Sequence, residues 1–199
     1  MDKTNIAVLV SGGGTNLQAL IDAENNGIIK NGKIKLVVSS NPEAYALERA
    51  KKANIKTDVV VRKGNPNFEK QLITVLEENN IELIVLAGFM CILSENFTTT
   101  FKDRIINVHP SLIPSFCGEG FYGLRVHKAA LEYGVKVTGA TVHFVNEIPD
   151  GGKIICQKAV EIKEGDTPEI LQERVMKEAE WKILPLATEQ ISKKIKENK

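Results

Sequence analysis

Residues 6–17 read Ile-Ala-Val-Leu-Val-Ser-Gly-Gly-Gly-Thr-Asn-Leu: an apolar run, a glycine turn, and the start of an amphipathic segment. Ile6 to Val10 is too short for a helix and is unbroken by polar residues, which suits a strand covered on both faces. The chain turns at Ser11-Gly12-Gly13-Gly14, and Leu17 to Ala23 continues as a helix. Strand, tight turn and helix in that order are the opening unit of a parallel sheet.

The same alternation continues downstream. Ile34 to Val38 reads as a second strand, followed by a helix around Ala44 to Ala53, and Asp58 to Val61 as a third strand. Phe68, Leu72, Val75 and Leu76 recur at the spacing of one helix face. Leu83 to Ala87 and Ile105 to Val108 complete five strands. The second half changes character. Val137 to Val145 is a long run ending in Glu147-Ile148-Pro149-Asp150-Gly151-Gly152, and Lys153 to Val160 follows at once. Strands joined so closely run antiparallel, so the sheet becomes mixed at one edge. Thr167 with Pro168 opens a last helix carrying Leu171, Val175, Ala179 and Ile183. The expectation is one α/β domain over residues 1–199, with a mixed, mostly parallel sheet of about seven strands flanked by helices.

Composition narrows the function classes. Lys plus Arg (26) nearly cancels Asp plus Glu (25), so no long-range field favours nucleic acid or an anionic membrane. Any phosphate must be caught by a local site. No apolar run nears the ~20 residues that a spanning helix needs. Cys91, Cys117 and Cys156 are far apart, without metal-ligand spacing, and an odd count with no apolar leader after Met1 suits a reducing cytoplasm. The expected protein is cytoplasmic and binds small molecules, with no metal, nucleic acid or membrane partner.

Three elements bear on chemistry. The loop from Ser11 to Asn16 can bring backbone N–H groups close to an anion at a helix N-terminus, or can be a plain turn. A dinucleotide fingerprint would need glycine where Leu17 stands and an acidic residue after the second strand, where the chain has Ser39-Ser40-Asn41. The sharper element is Asn107-Val108-His109-Pro110-Ser111-Leu112-Ile113-Pro114. Asn107 and His109 are two residues apart on a strand and so share a face, at the end where open α/β sheets take ligands. An imidazole that moves protons beside an amide that steadies an oxyanion suits acyl transfer. A structural histidine at a strand end is the plainer alternative. Asp150 in the Asp-Gly-Gly turn could raise the pKa of a neighbouring imidazole, or simply make the turn. His143 reads as structural or supporting, and His127 as a packing residue on a helix.

Taken together the motifs resemble those of the formyltransferases that use 10-formyltetrahydrofolate. They are Ser-Gly-Gly-Gly-Thr-Asn-Leu-Gln at 11–18, Leu-Ala-Gly-Phe-Met at 86–90, Asn-Val-His-Pro-Ser-Leu-Ile-Pro at 107–114, Gly-Ala-Thr-Val-His-Phe-Val at 139–145 and Asp-Gly-Gly at 150–152. The resemblance implies transfer of a formyl group from the folate to the amine of glycinamide ribonucleotide, through a tetrahedral intermediate. His109 would be the acid/base, Asn107 the oxyanion donor, and Asp150 the group that raises the pKa of His109. Gly14, Thr15 and Asn16 would hold the phosphate and Glu180 the ribose hydroxyls. The folate would lie among Met90, Cys91, Ile92, Leu93 and Asn107 and the loop of Asn146, Glu147, Ile148, Pro149 and Asp150. The phosphate half would span about residues 1–100 and the folate and catalytic half about 101–190, in a monomer or homodimer. The alternative is a deformylase-type hydrolase that passes the formyl group to water. Departures from the family pattern are a longer 116–124 loop, Cys91 in place of a basic residue, and Asn65 in place of a folate-contacting Arg, with Arg62 or Lys63 as substitutes. The spacing ahead of Glu180 also differs by one residue.

Overall fold

The computed structural model describes residues 3–198. The elements follow in the order β1 (Thr4–Val10), α1 (Thr15–Asn25), β2 (Gly32–Ser39), α2 (Tyr45–Lys52), β3 (Lys56–Val59), α3 (Phe68–Glu78), β4 (Leu83–Leu86), α4 (Glu95–Thr100) and β5 (Ile105–His109). Then come α5 (Leu124–Tyr133), β6 (Val137–Phe144), β7 (Ile154–Glu161), α6 (Pro168–Val175), a π-helical turn over Met176–Glu180, and α7 (Trp181–Glu197). The strands form one seven-stranded sheet in the order β3-β2-β1-β4-β5-β6-β7. The first five are mutually parallel where they pair, and β6 is antiparallel to both β5 and β7. The expected α/β architecture with a mixed edge is therefore the one observed.

Strand alternation divides the core between the two faces of the sheet. Ile6, Val8, Leu83, Val85, Ile106 and Val142 pack against α1, α2, α6 and α7. Ala7, Leu9, Leu36, Ile84 and Ile105 pack on the opposite face with Phe68, Leu72 and Leu76 of α3 and Phe97 of α4. Ala7 to Val10 are fully buried, as a central strand covered by helices on both sides must be.

Three local readings shift. The third strand is Lys56–Val59 and not Asp58 to Val61. It lies at the sheet edge, where half-exposed residues leave little apolar signal. The short helix α4, capped by the Ser94 hydroxyl accepting from the Phe97 N–H, was not anticipated. The last helix is also not continuous: the π-helical turn separates α6 from α7, and Pro185 lies inside α7.

Strand order places the working end of the sheet. β1 is flanked by β2 and β4, so chain connections diverge on either side of it, and the carboxyl ends of these strands open a crevice. Ser11 after β1 and Met90 after β4 are tied across that crevice: the Met90 N–H donates to the Ser11 hydroxyl at 2.9 Å. Beyond β5, the Pro110–Pro114 loop packs on β6 at Gly139. A Cβ there would stand 2.1 Å from the Lys158 carbonyl oxygen and 2.9 Å from Leu112. We expect Gly139→Ala to lower unfolding stability in urea by about 1–3 kcal/mol, the usual cost of forcing atoms into a packed site. An unchanged transition midpoint would contradict this packing.

Candidate active site

The site is assembled by one strand pairing. In the antiparallel register of β5 with β6, Asn107 faces His143 and His109 faces Thr141, so four polar side chains share one face of the sheet. Thr141 anchors the loop beyond β5: its hydroxyl donates to the Ser111 carbonyl at 2.7 Å and accepts from the Ile113 N–H at 3.1 Å. Residues 146–150 turn back over these side chains and bring Asp150 to them, with Asp150 itself at φ 56°. Gly152 permits this return, because a Cβ there would meet the Phe144 carbonyl oxygen at 1.7 Å.

His109 is buried and held on both sides. Its Nδ1 lies 3.4 Å from Asp150 Oδ2, and its Nε2 lies 2.9 Å from the Phe116 carbonyl oxygen. Both neighbours are acceptors, an arrangement that fits an imidazolium better than a neutral ring. Burial works the other way and lowers its pKa, and its outward push exceeds the upward pull of Asp150 and of the Phe116 carbonyl. The expectation that Asp150 raises the pKa of His109 thus holds for the sign of the carboxylate's effect, while the net direction is downward. Asp150 is pushed up by burial, but the His143 and His109 imidazoles and the Gly118 N–H together hold it below the usual carboxylate range. That N–H donates to Asp150 Oδ2 at 2.8 Å. The catalytic candidates therefore sit as a carboxylate beside a buried imidazole.

A cleft of about 140 Å³ opens beside them, lined by residues including Leu86, Cys91, Ile92, Leu93, Asn107 and His143 together with Val145 to Asp150. Expected folate residues Cys91, Ile92, Leu93, Asn146, Glu147, Ile148, Pro149 and Asp150 all line it. Met90 does not; it is 57% exposed and joins the site only through its N–H on Ser11. Asn65 is engaged with the Val61 carbonyl and the Gln71 side chain, and neither it nor Arg62 or Lys63 lines the cleft. A larger depression of about 490 Å³ runs between α1 and α7. Of the candidate residues it contains only Thr15, so the chemistry belongs to the smaller cleft.

The glycine loop makes a second subsite. Gly14 caps α1 at φ 72°, with no side chain bonded to the first turn and no acidic residue in it, which leaves N–H groups open to an anion. The loop is braced by Arg49, whose Nε donates to the Gly13 carbonyl at 2.8 Å. Gly14 packs so closely on α2 that a Cβ would meet that of Ala46 at 2.6 Å. Asn16 Nδ2 donates to the Glu180 carboxylate at 2.7 Å, joining residues 164 positions apart. Glu180 ends the π-helical turn, and burial pushes its pKa up. Among the described residues, no group of His, Cys, Asp and Glu could hold a metal ion, and no helix is long and apolar enough to cross a membrane.

Two parts of the site leave no trace in the sequence, and His143 was legible there only as structural or supporting. The Phe116 carbonyl and Gly118 N–H are main-chain groups of an irregular loop and leave no residue-type signal. His143 did leave one, since pairing Thr-Val-His-Phe with Asn-Val-His-Pro antiparallel sets it opposite Asn107.

Comparisons with known proteins bear on the family and the fold. The sequence model of the formyl transferase family matches residues 4–188. The chain is 46% identical over 194 residues to a trifunctional purine biosynthetic protein adenosine-3 of Gallus gallus, covering 96% of this chain. It spans 19% of that protein's length. It is 44% identical over 184 residues to a phosphoribosylglycinamide formyltransferase of Haemophilus influenzae, covering 91% of this chain and 84% of the relative. The crystal structure of glycinamide ribonucleotide transformylase 1 from Symbiobacterium toebii superposes with a TM-score of 0.89 at 40% identity, covering 96% of this chain and 89% of that one.

One further titratable group lies behind the site. His127 on α5 is fully buried, and neither ring nitrogen is hydrogen-bonded among the described residues. Burial, helped by His109, depresses its pKa from 6.5 to about 4. The unfolded chain therefore takes up a proton at His127 that the native state refuses. Stability is full above pH 6.5 and is lost as pH falls toward about 4, by roughly 3 kcal/mol. The depressed pKa of His109 adds in the same sense, whereas the stabilisation from Asp150 is full above its ordinary 3.8 and is lost only below it. Urea unfolding across this window should show that slope, and His127→Leu should flatten most of it. A slope unchanged by the substitution would mean that His127 accepts protons freely in the native state.

Proposed function

The chain belongs to the formyl transferase family, and on that premise we propose that it transfers the formyl group of 10-formyltetrahydrofolate to the amine of N1-(5-phosphoribosyl)glycinamide, a step of purine biosynthesis. The observation that carries this reading is the buried His109 held between Asp150 and the Phe116 carbonyl, with Asn107 one pleat away on the wall of a cleft. Names of relatives that span most of this chain point the same way.

In the mechanism, the substrate amine attacks the formyl carbon, forming a C–N bond while the carbonyl electrons move to oxygen. Asn107 donates an N–H to that developing oxyanion, where a preorganised donor is worth most. His109 takes the proton released by the attacking nitrogen and returns it to the folate nitrogen as its bond to the formyl carbon breaks. Asp150 stabilises the imidazolium formed between those events. Gly14, Thr15 and Asn16 receive the phosphate at the N-terminus of α1, and Glu180 receives the ribose hydroxyls once Asn16 yields to the ligand. The folate lies along Cys91 to Leu93 and the 146–150 loop, with Met90 at the cleft's outer edge. The phosphate half (about 1–100) and the folate and catalytic half (about 101–190) are not cleanly separate, because Cys91 to Leu93 and Glu180 each serve the other half's ligand.

A spectrophotometric assay with 10-formyltetrahydrofolate, run with and without the ribonucleotide, tests the proposal. Tetrahydrofolate formed only with the ribonucleotide present is the expected result. Equal formation without it would identify a hydrolase and overturn the reading. His109→Ala and Asp150→Asn should each lower turnover by ~100-fold or more while leaving the fold intact; near-normal rates in both would overturn the mechanism.

A further inference from the structure

His143 is 1% exposed and its two ring nitrogens touch three polar groups. Its Nδ1 lies 2.7 Å from the Phe144 carbonyl oxygen. A carbonyl only accepts, so Nδ1 carries the proton and, in the neutral ring, Nε2 presents a lone pair. That Nε2 lies 3.2 Å from Asn107 Nδ2. Only the nitrogen of the Asn107 amide can donate to it, since the amide turned about would set two acceptors against each other. Asp150 Oδ1 approaches the same Nε2 at 3.5 Å, farther than Asn107 and at the outer limit of a hydrogen bond. The carboxylate takes the Gly118 N–H and the His109 contact at its other oxygen.

We infer that His143 is a positioning residue whose Nδ1–H tautomer orients the Asn107 amide, leaving the second N–H of Nδ2 to face the reacting carbonyl oxygen. The chain of control runs from a main-chain carbonyl through one imidazole to the oxyanion donor. A structural role alone would require only that the space be filled; this role requires an acceptor at the position of Nε2. The inference deepens the proposed transfer reaction and rests on it for its kinetic test.

The test compares full-length His143→Gln and His143→Leu with the unaltered protein. Glutamine can set its Oε1 where Nε2 stands, whereas leucine fills the space without an acceptor. His143→Gln should keep turnover within about threefold. His143→Leu should lose ~10-fold or more in kcat, with little change in KM for either substrate, as expected when a transition-state donor is misdirected. Equal turnover in both variants, whether high or low, would overturn the inference. Independently of activity, 15N spectra of histidine-labelled protein at neutral pH should show Nδ1 of His143 protonated and Nε2 bare, assigned by the loss of its signals in His143→Gln. A protonated Nε2 would overturn the inference. Unaltered protein that transfers no formyl group would overturn the functional reading alone, and the tautomer would then decide the role of His143.

Discussion

The antiparallel pairing of β5 with β6 is the constraint on which the rest of the site depends. The other strands of this sheet that pair with β5 or lie beyond it toward β3 are parallel, and parallel neighbours are joined through helices that spread their residues apart. Although β5 and β6 are also joined through a helix, α5, the reversed direction of β6 sets two short motifs side by side, so that Asn107 meets His143 and His109 meets Thr141. A slip of one residue would send Asn107 and His109 into the apolar layer now occupied by Ile106 and Val108, a cost that locks the register. The 146–150 turn then needs only to fold back for Asp150 to reach both imidazoles.

Burial and charge work against each other in this site. Burial disfavours charge on His109 and on Asp150, while each favours the charged form of the other. An acid/base group has to gain and lose a proton in turn, and here burial favours the neutral imidazole while Asp150 favours the charged one. His127 has no opposing partner, and there burial and the charge of His109 push the same way. Glu180 is the mirror case: burial raises its pKa, and a single N–H from Asn16 opposes it. A carboxylate with so little compensation is well placed to accept hydroxyl donors from a ligand.

Much of this was legible in the sequence, for identifiable reasons. Ile6 to Val10 and Leu83 to Leu86 are covered on both sides, so unbroken apolar runs marked them. Lys56–Val59 lies at the edge, and the nearby Val60 and Val61 drew the expectation two residues downstream. In the C-terminal segment Leu171, Val175, Ala179 and Ile183 are all buried at a constant spacing of four. Each step of four overshoots the 3.6-residue turn by roughly 40°, so in a continuous α-helix the four residues would drift by roughly 120° around the axis. The wider π-helical turn at Met176–Glu180 absorbs that drift and aims Glu180 at Asn16. Spacing in the chain could suggest Asn107 and His109 as a pair, but their meeting with Asp150 depends on the Phe144–Gly152 turn. The Phe116 and Gly118 main-chain groups depend on the shape of a loop that no residue type encodes.

The central claim is that the reacting carbonyl is received between Asn107 and His109 on the β5–β6 face. The most direct measurement is a crystal structure with a stable analogue of the formylated folate. The account predicts the analogue's carbonyl oxygen within hydrogen-bond distance of Asn107 Nδ2, with its carbonyl carbon open toward the glycine loop and His109 alongside. A carbonyl turned away from Asn107, or an analogue seated in the depression between α1 and α7, would contradict it.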